Sequence, residues 1–382
     1  MRITTAALIW LIVGVPAIAD YSGGATTQPG SPGSARIAAD AVIATMPDNT
    51  WVRLNPAHEP AGRNRCSLCL GGGNIFYFGG DRASHDGNDV ELYGLAGNDW
   101  SRSWESAIRP TAGPDADESA AEMVFDAKTG RPWPVPTYQQ VCYEPHLRSF
   151  LWAGHFGTWV FDPGAVAGNA WSNPAGPYSP TKAPSPHTAM AGKLYHTFYS
   201  PQLDAAVCMV TGRPFGVYLF APKRSTWAKR AGDIPKMMQW HELCSTWVPS
   251  RKSHLISHGG RPAMWWYDAS AEQFTEVKNV PESLEGVQSL AYDATNDTVI
   301  ALEQFKADPD ADRSPISVDA WAMSPKTETW EKLPRPAVRP TGFATAAGSM
   351  LVYDAGRNVF LFLNRVTVDE CQTWAFRYKA GK

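Results

Sequence analysis

Short apolar segments recur along most of this chain, and each is followed by glycine or by a cluster of small polar residues. Residues 75–78, 150–153 and 359–363 are examples. Segments of this length and composition, bounded by turn residues, are typical of β-strands. Beyond the N-terminal segment, no stretch shows the apolar period of a helix longer than a few turns. The pattern therefore predicts an all-β protein.

The apolar segments belong to a repeating unit. Each copy has a first strand, a turn, a second apolar strand that ends in small residues, and an aromatic third strand followed by a turn and a closing aromatic residue. Second strands are predicted at residues 75–78, 150–153, 206–210, 254–257, 298–302 and 359–363, and third strands at 92–93, 159–161, 218–220, 265–267, 321–323 and 374–376. The closing aromatic residues are Trp100, Trp171, Trp227, Phe274 and Trp330.

The two ends of the repeat region complement each other. The sixth copy ends at the C-terminus without a closing element, whereas residues 50–54 have the form of a fourth strand without three strands before it. A strand from the N-terminus is therefore predicted to complete the last blade, which removes exposed sheet edges. The sequence predicts a six-bladed β-propeller. A seventh blade has room in residues 105–136, although their Asp, Pro and Ala content favours a long surface loop.

The first repeat resembles a kelch repeat. It contains Gly79-Gly80, then Asp-Val-Glu-Leu-Tyr at residues 89–93, then Asn98-Asp99-Trp100. These motifs are similar to those of kelch propellers and galactose-oxidase-type proteins, and the period is closer to kelch than to WD40. The resemblance covers nearly all of residues 50–380 and implies a kelch-like propeller.

The N-terminal sequence predicts where the protein is located. The N-terminus has a basic start, an apolar run interrupted by Gly14 and Pro16, and a small-residue motif at residues 17–19. This predicts a cleaved signal peptide over residues 1–19 and a secreted or periplasmic protein, with no membrane span. Residues 20–49 are rich in Gly, Ser, Thr, Pro and Ala and are predicted to be a flexible leader, followed by the propeller domain over residues 50–382.

Charge and cysteine content restrict the partners and the covalent chemistry. The net charge is -3 and there is no basic run, so nucleic acid is excluded as a partner. Six cysteines in an exported protein allow up to three disulfides, whose connectivity the sequence leaves open.

Propeller topology predicts where functional groups meet. In each blade the first and second strands are antiparallel, so the start of the first strand and the end of the second share one face of the ring. Four of the nine histidines are expected at this mouth of the channel: His155, His196, His241 and His258. Because titratable groups that converge in a concave site are the default candidates for function, the predicted site comprises His155, Tyr195, His196, Arg213, His241 and His258. Substrate contacts are predicted from Arg65, Tyr138, Tyr199 and Trp240.

The first functional hypothesis is a lyase acting on a uronic-acid-containing polysaccharide. Ulvan-lyase-like propellers carry a His, a Tyr and an Arg around this channel, and the chain is similar in offering His155, then Tyr195 or Tyr199, then Arg213. The arginine would pair with the uronate carboxylate, and Tyr or His would transfer the proton. The chain departs from that pattern at residues 136–139, where a second histidine would be expected.

The second hypothesis is a copper-radical oxidase of the galactose-oxidase type. Tyr138, Cys66, Tyr195 and His196 resemble parts of such a site, and His241 would have to supply the second imidazole. Imidazole and phenolate suit tetragonal Cu(II).

The third hypothesis is a non-catalytic module that holds a small sugar or a protein on aromatic surfaces such as Trp240, Trp265 and Trp266.

Two weaker metal motifs are also present. Cys66-x-x-Cys69 lacks the second pair of a zinc site, and the acidic segment 308–312 lacks the glycine and distal Glu of a calcium-binding EF-hand loop.

Overall fold

A computed structural model of the chain describes residues 39–80, 85, 87–94, 97–107, 126, 129–133, 136–154, 157–165, 170–172, 195–211, 216–224, 226–230, 234–238, 243–259, 261–285, 289–306, 316–342, 349–367 and 370–380. The predicted signal peptide and most of the predicted leader lie outside these residues, as does most of the segment considered for a seventh blade. Residues 37–382 form one compact unit.

The described residues contain one short α-helix, α1 (Ala39–Ala44), and twenty-five strands. The strands are β1 (Thr50–Arg53), β2 (Ser67–Gly71), β3 (Asn74–Phe78), β4 (Glu91–Gly94), β5 (Asp99–Arg102), β6 (Val141–Glu144), β7 (Ser149–Gly154), β8 (Gly157–Phe161), β9 (Trp171–Ser172), β10 (Tyr195–Ser200), β11 (Ala205–Val210), β12 (Gly216–Ala221), β13 (Thr226–Lys229), β14 (Leu243–Val248), β15 (Ser253–His258), β16 (Met264–Asp268), β17 (Gln273–Glu276), β18 (Leu290–Asp293), β19 (Thr298–Lys306), β20 (Ile316–Ser324), β21 (Thr329–Lys332), β22 (Thr341–Gly342), β23 (Leu351–Asp354), β24 (Val359–Arg365) and β25 (Cys371–Arg377). Four 3-10 helices also occur, at Pro222–Arg224, Lys236–Met238, Pro249–Arg251 and Glu282–Leu284.

The strands form six antiparallel sheets, which are the blades of a β-propeller. Five blades follow the chain in order from inner to outer strand: β2 to β5, β6 to β9, β10 to β13, β14 to β17 and β18 to β21, with β22 added to the fifth beside β20. The sixth blade has the order β23, β24, β25, β1. All predicted second and third strands lie within these sheets, so the predicted all-β propeller is confirmed.

The N-terminal strand closes the ring as predicted. β1 pairs antiparallel with β25, and Trp51 lies opposite Phe376. Trp51 is buried and its ring stacks on Phe376 with a centroid distance of 4.7 Å. The first strand of the domain therefore completes a sheet whose other strands come from the opposite end of the chain, and the last blade has no unpaired outer edge from β25.

The boundary predicted for the flexible leader is wrong at its C-terminal end. Helix α1 lies inside that stretch, and Ala39, Ile43 and Met46 are buried in the same apolar cluster as Trp51. Asp40 also accepts a hydrogen bond from Arg357 Nε at 2.6 Å. These few apolar residues are enough to dock one helical turn on the sixth blade, which composition averaged over the whole leader does not reveal.

The hydrophobic core is divided among the seams between blades. One cluster spans the fifth, sixth and first blades, and four separate clusters join the first blade to the second, the second to the third, the third to the fourth and the fourth to the fifth. The side chains that fill the seams are mostly large: Phe76 stacks on Phe150 of the next blade at 4.5 Å between centroids. Each blade can bury its two faces only against its neighbours, so the ring is the unit of stability.

The central channel has two ends. We call the end where the inner strands begin the start face, and the end where they turn into the second strands the turn face. At the start face, backbone hydrogen bonds join neighbouring blades: Leu68 N to Ser349 O at 2.7 Å, Tyr138 N to Arg65 O at 2.8 Å, and Thr197 N to Gln139 O at 2.8 Å. These bonds draw the beginnings of the inner strands together.

Candidate functional site

The strand register places part of the predicted site on the start face. Tyr195 is the first residue of β10 and lies opposite Val210, the last residue of β11. In the neighbouring blade, β7 ends at Gly154. In the chain, His155 directly follows β7 and Arg213 comes three residues after β11, although both residues lie outside the described residues, as do Trp240 and His241.

His196 does not reach the channel mouth. It is 0% exposed and its ring lies 5.4 Å from that of Phe198, in the seam between the third and fourth blades. Burial lowers its pKa from 6.5 to about 3, so the imidazole is neutral at pH 7. The prediction that His196 faces a shared opening is therefore wrong: strand alternation turns its side chain into the seam, where no solvent reaches it.

The other described candidates lie at both ends of the channel. His258 is 4% exposed at the end of β15, and Tyr138 is buried just before β6. Arg65 is exposed and adopts a positive φ of 54°. Tyr199 lies near the opposite end of β10, on the turn face, where its hydroxyl donates a hydrogen bond to Asp204. Tyr199 therefore belongs to a different end of the channel from Tyr195, and its predicted substrate contact at the mouth is wrong.

A buried ionic network occupies the start of the first blade. Arg63 is 1% exposed and forms ion pairs with Asp89 at 2.8 Å and with Glu91 at 3.4 Å. Its guanidinium also donates to the backbone oxygens of Gly79 and Gly87. Burial acts to raise the pKa of Asp89, but the charge of Arg63 and the hydrogen bond from His85 outweigh it and hold that pKa below its usual range.

The network explains the double glycine of the kelch-like motif. Gly79 has a φ of 107° and Gly80 a φ of 132°, which disfavour any residue with a side chain. A Cβ on Gly79 would also come within 2.3 Å of the hydroxyl of Thr137. The two glycines therefore let the backbone turn so that a carbonyl meets Arg63, and they serve the fold.

A serine, a histidine and an aspartate meet in the same blade without forming a catalytic triad. His85 Nε2 lies 2.7 Å from Asp89 Oδ1 and 3.3 Å from Ser106 Oγ, and Ser106 itself donates to Asp89 at 2.7 Å. In a triad the two ring nitrogens contact different partners, the acid on one side and the nucleophile on the other. Here one nitrogen faces both, so the histidine cannot relay a proton between them.

The tryptophans considered as binding surfaces serve as core. Trp265 is 4% exposed and Trp266 is 3% exposed. The Trp266 indole donates to Glu328 at 2.9 Å and lies beneath the guanidinium of Arg251. Neither ring is available to a partner, because both fill seams on the two sides of the fourth blade.

The central channel holds a cavity of about 510 Å³ that sequence reasoning did not predict. All six inner strands contribute to its lining. Five half-buried aromatic residues occupy one equivalent position, the last but one residue before the turn of the first hairpin: Tyr143, Tyr199, Trp247, Tyr292 and Tyr353. Their recurrence in successive first strands is the signal by which the sequence would have revealed the ring.

The described surroundings cover only part of the copper hypothesis. The Cys66 thiol donates to Arg63 O at 3.4 Å and lies beside Tyr77 in the seam between the sixth and first blades. His196 does fit a ligand in one respect, since neither ring nitrogen has a hydrogen-bond partner among the described residues. His241 and the side chain of Tyr195 lie outside the described residues.

The structure also bears on the predicted disulfides and on the two weaker metal motifs. All six cysteines are present as thiols, so the predicted disulfides do not form in this structure. Within the described ranges, no three His, Cys, Asp or Glu side chains group as metal ligands, and Cys66 and Cys69 fall into different apolar clusters. The acidic segment 308–312 lies outside the described residues. No helix among the described residues is long and apolar enough to cross a membrane.

Comparison with known proteins gives little beyond the fold. No protein-family model matches the chain, and no curated protein matches it. Among solved structures, the chain is similar to a fungal alcohol oxidase of the AA5 family, which was solved in complex with copper. The identity is 11%, the TM-score is 0.46, and the match covers 86% of this chain and 76% of that one. The copper and the alcohol oxidation belong to that protein; the propeller assignment here follows from the strand order.

Proposed function

We propose that this chain is an exported, carbohydrate-directed propeller that cleaves uronic-acid-containing glycans by β-elimination. The observation that carries the proposal is the register of the second and third blades. Tyr195 begins β10 on the start face, β7 ends there just before His155, and β11 ends there shortly before Arg213. Of three residue types that such a reaction needs, one thus begins a strand and two come after strand ends on the same face of two adjacent blades.

The chemistry assigns a role to each. The planar guanidinium of Arg213 would pair with both oxygens of the uronate carboxylate and favour loss of the proton on the adjacent carbon C5. Tyr195 or His155 would accept that proton as the bond from C4 to the glycosidic oxygen breaks. The electron pair from the C5–H bond becomes the C4–C5 double bond, and the leaving oxygen takes up a proton.

The test is appearance of the ultraviolet-absorbing unsaturated uronate when the purified protein meets a panel of uronic-acid polymers. Arg213→Ala and Tyr195→Phe are expected to lower the rate by about 10²-fold or more, because each removes a positioned charge or proton carrier. Arg148→Ala changes an exposed arginine on the turn face and serves as the control. Absence of product from every polymer would overturn the proposal.

The unpartnered nitrogens of His196 support a second candidate, a copper-radical oxidase. When bound, copper would supply one-electron chemistry, and Tyr138, Tyr195, His196 and His241 would be the residues to hold it. Metal analysis of the same preparation separates the two candidates. Bound copper with peroxide release from an alcohol favours the oxidase, whereas unsaturated uronate without copper favours the lyase. Glycan binding with neither product would leave a non-catalytic binding protein.

A further inference from the structure

The cavity in the central channel has a lining without charge. Among the described residues, no Asp, Glu, Lys or Arg contributes to it. The lining instead combines the five aromatic rings with apolar side chains and a few neutral polar groups, among them Ser245, Thr246 and His254. A ligand that carries a full charge would lose its hydration there without gaining a counterion, so the cavity suits a neutral ligand.

The aromatic rings are held in place by the turns that follow them. Tyr292 donates to Asp297 at 2.8 Å. The Tyr353 hydroxyl lies 2.9 Å from Asn358 Oδ1 and 2.8 Å from Asp293 Oδ1 and donates its one hydrogen between these two acceptors. Asp297 and Asn358 adopt left-handed backbone conformations at the ends of equivalent four-residue turns. Because these hydroxyls are committed to the turns, the rings offer the cavity their carbon faces and edges.

The first blade packs closely against one of these aromatic side chains. Its first hairpin has a two-residue turn of glycines, Gly72 and Gly73. A Cβ placed on Gly71 would come 2.0 Å from Cγ of Tyr143, so glycine is required for that ring to lie against the turn. The aromatic positions are therefore fixed on rigid strands, which lowers the entropy cost of binding a ligand.

One polar group in the lining has unused hydrogen-bonding capacity. His254 is 1% exposed, and neither of its ring nitrogens has a partner among the described residues. Its ring lies between Phe198 and Trp247, with centroid distances of 4.1 and 5.0 Å. A neutral imidazole offers one donor and one acceptor, which matches a hydroxyl group.

We propose that the turn-face half of the channel is a binding site for a neutral pyranose sugar. Such a ring has apolar faces that suit the aromatic side chains and hydroxyls that suit His254, Ser245 and Thr246. The cavity volume of about 510 Å³ falls within the usual range of small-molecule pockets. The site is distinct from the proposed uronate site, which lies at the start face and depends on the charge of Arg213.

The test is equilibrium binding of neutral mono- and disaccharides, with glucuronate as an anionic and choline as a cationic competitor, measured by calorimetry and by tryptophan fluorescence. Trp247→Ala and Thr246→Asp are expected to weaken binding about tenfold or more, since one removes an aromatic face and the other places a charge in the lining. Tyr292→Phe keeps the aromatic ring and is expected to retain affinity, whereas Tyr292→Ala removes the ring and is expected to weaken binding. Trp330→Ala, outside the cavity, is the control for fluorescence and folding.

Three results would overturn this site. One is a failure of every neutral sugar to bind while the protein melts cooperatively. Another is binding that Thr246→Asp leaves unchanged. Choline binding in place of sugar would likewise overturn it, because it would mark an aromatic cage for cations. Arg213→Ala is expected to abolish the lyase and leave this binding intact, so the two proposals fail independently.

Discussion

Two seams of the propeller bury polar side chains in opposite ways. In the seam between the sixth and first blades, Trp100 Nε1 donates to Thr373 Oγ1 at 2.8 Å, and Thr373 in turn donates to Glu59 at 2.6 Å. In the seam between the third and fourth blades, the described residues give no hydrogen-bond partner to the rings of His196 and His254 or to the hydroxyl of Tyr267.

The difference shows in which seam hydrogen bonds offset the cost of burying polar groups and in which seam they do not. A buried polar group that keeps its hydrogen bonds costs little, whereas one that loses them on folding costs about 1–3 kcal/mol. The first seam closes the ring with the two ends of the chain and satisfies its polar atoms. The second joins blades that are consecutive in sequence and leaves two imidazoles without a hydrogen-bond partner among the described residues, so acid is expected to weaken this seam.

The largest expected effect comes from removing the charge in the well-paired region. Arg63→Met leaves Asp89 and Glu91 without their buried partner and is expected to lower the free energy of unfolding by about 3–5 kcal/mol. Denaturant unfolding followed by tryptophan fluorescence measures it. Lys326→Met, at an exposed turn position, is the matched control and is expected to change stability by about 0.5 kcal/mol or less. Equal effects in the two variants would contradict the paired network.

Acid is expected to weaken the unpaired seam. Burial lowers the pKa of His196 and of His254 from 6.5 to about 3, and the nearby His196 adds to the effect on His254. Between these values the unfolded chain binds protons that the folded chain refuses, so stability is complete above pH 6.5 and falls as the pH drops. The slope is at most about 1.4 kcal/mol per pH unit for each histidine.

Unfolding measured from about pH 7 to about pH 4.5 tests this slope. The double variant His196→Phe/His254→Phe is expected to flatten it, because it removes the two imidazoles whose pKa burial lowers. Carboxylates paired in the first blade, such as Asp89, titrate below this window and are shared by both proteins. An unchanged slope in the double variant would show that other groups govern the acid response.

A smaller effect is expected from the indole hydrogen bonds that cross seams. Trp100 donates to Thr373 at 2.8 Å and Trp227 donates to Thr158 at 2.7 Å, each reaching the third strand of the preceding blade. Trp171 holds the equivalent position in the second blade, but its indole nitrogen has no partner in the described part of the chain. Trp→Phe is expected to cost about 1 kcal/mol more at positions 100 and 227 than at position 171. Thermal unfolding of the three variants would detect the difference.

The smallest expected effect lies at the docked helix. The ion pair between Arg357 and Asp40 joins α1 to the turn of the sixth blade at 2.6 Å, with the Asp40 side chain 56% exposed. Asp40→Asn is expected to cost about 0.5 kcal/mol or less, and added salt should shrink the cost further. By contrast, Ile43→Ala opens the buried contact of the same helix and is expected to cost about 2 kcal/mol or more. If the two variants lose equal stability, charge and not apolar burial docks the helix.

Sequence patterns predicted the blades because each strand carries its own periodicity and each turn its own glycine or Asx residue. They failed for individual side chains at the channel. Tyr195, His196 and Tyr199 share one strand, yet His196 turns into a seam and Tyr199 lies near the other end of that strand. A shift of one residue reverses the face of a strand, so proximity in sequence does not predict convergence.

The chain alone determined the number of repeats, the second and third strand of each repeat and the strand that closes the ring, since these depend on local periodicity and on one missing element at each end. Tertiary structure decided which polar side chains form ion pairs or hydrogen bonds, which are buried, and which line the cavity. Arg63 became a buried ion-pair partner, His254 an unpaired group facing a cavity, and five aromatic residues from five blades became one lining. Those outcomes depend on which blade faces meet around the ring, and no single repeat contains that information.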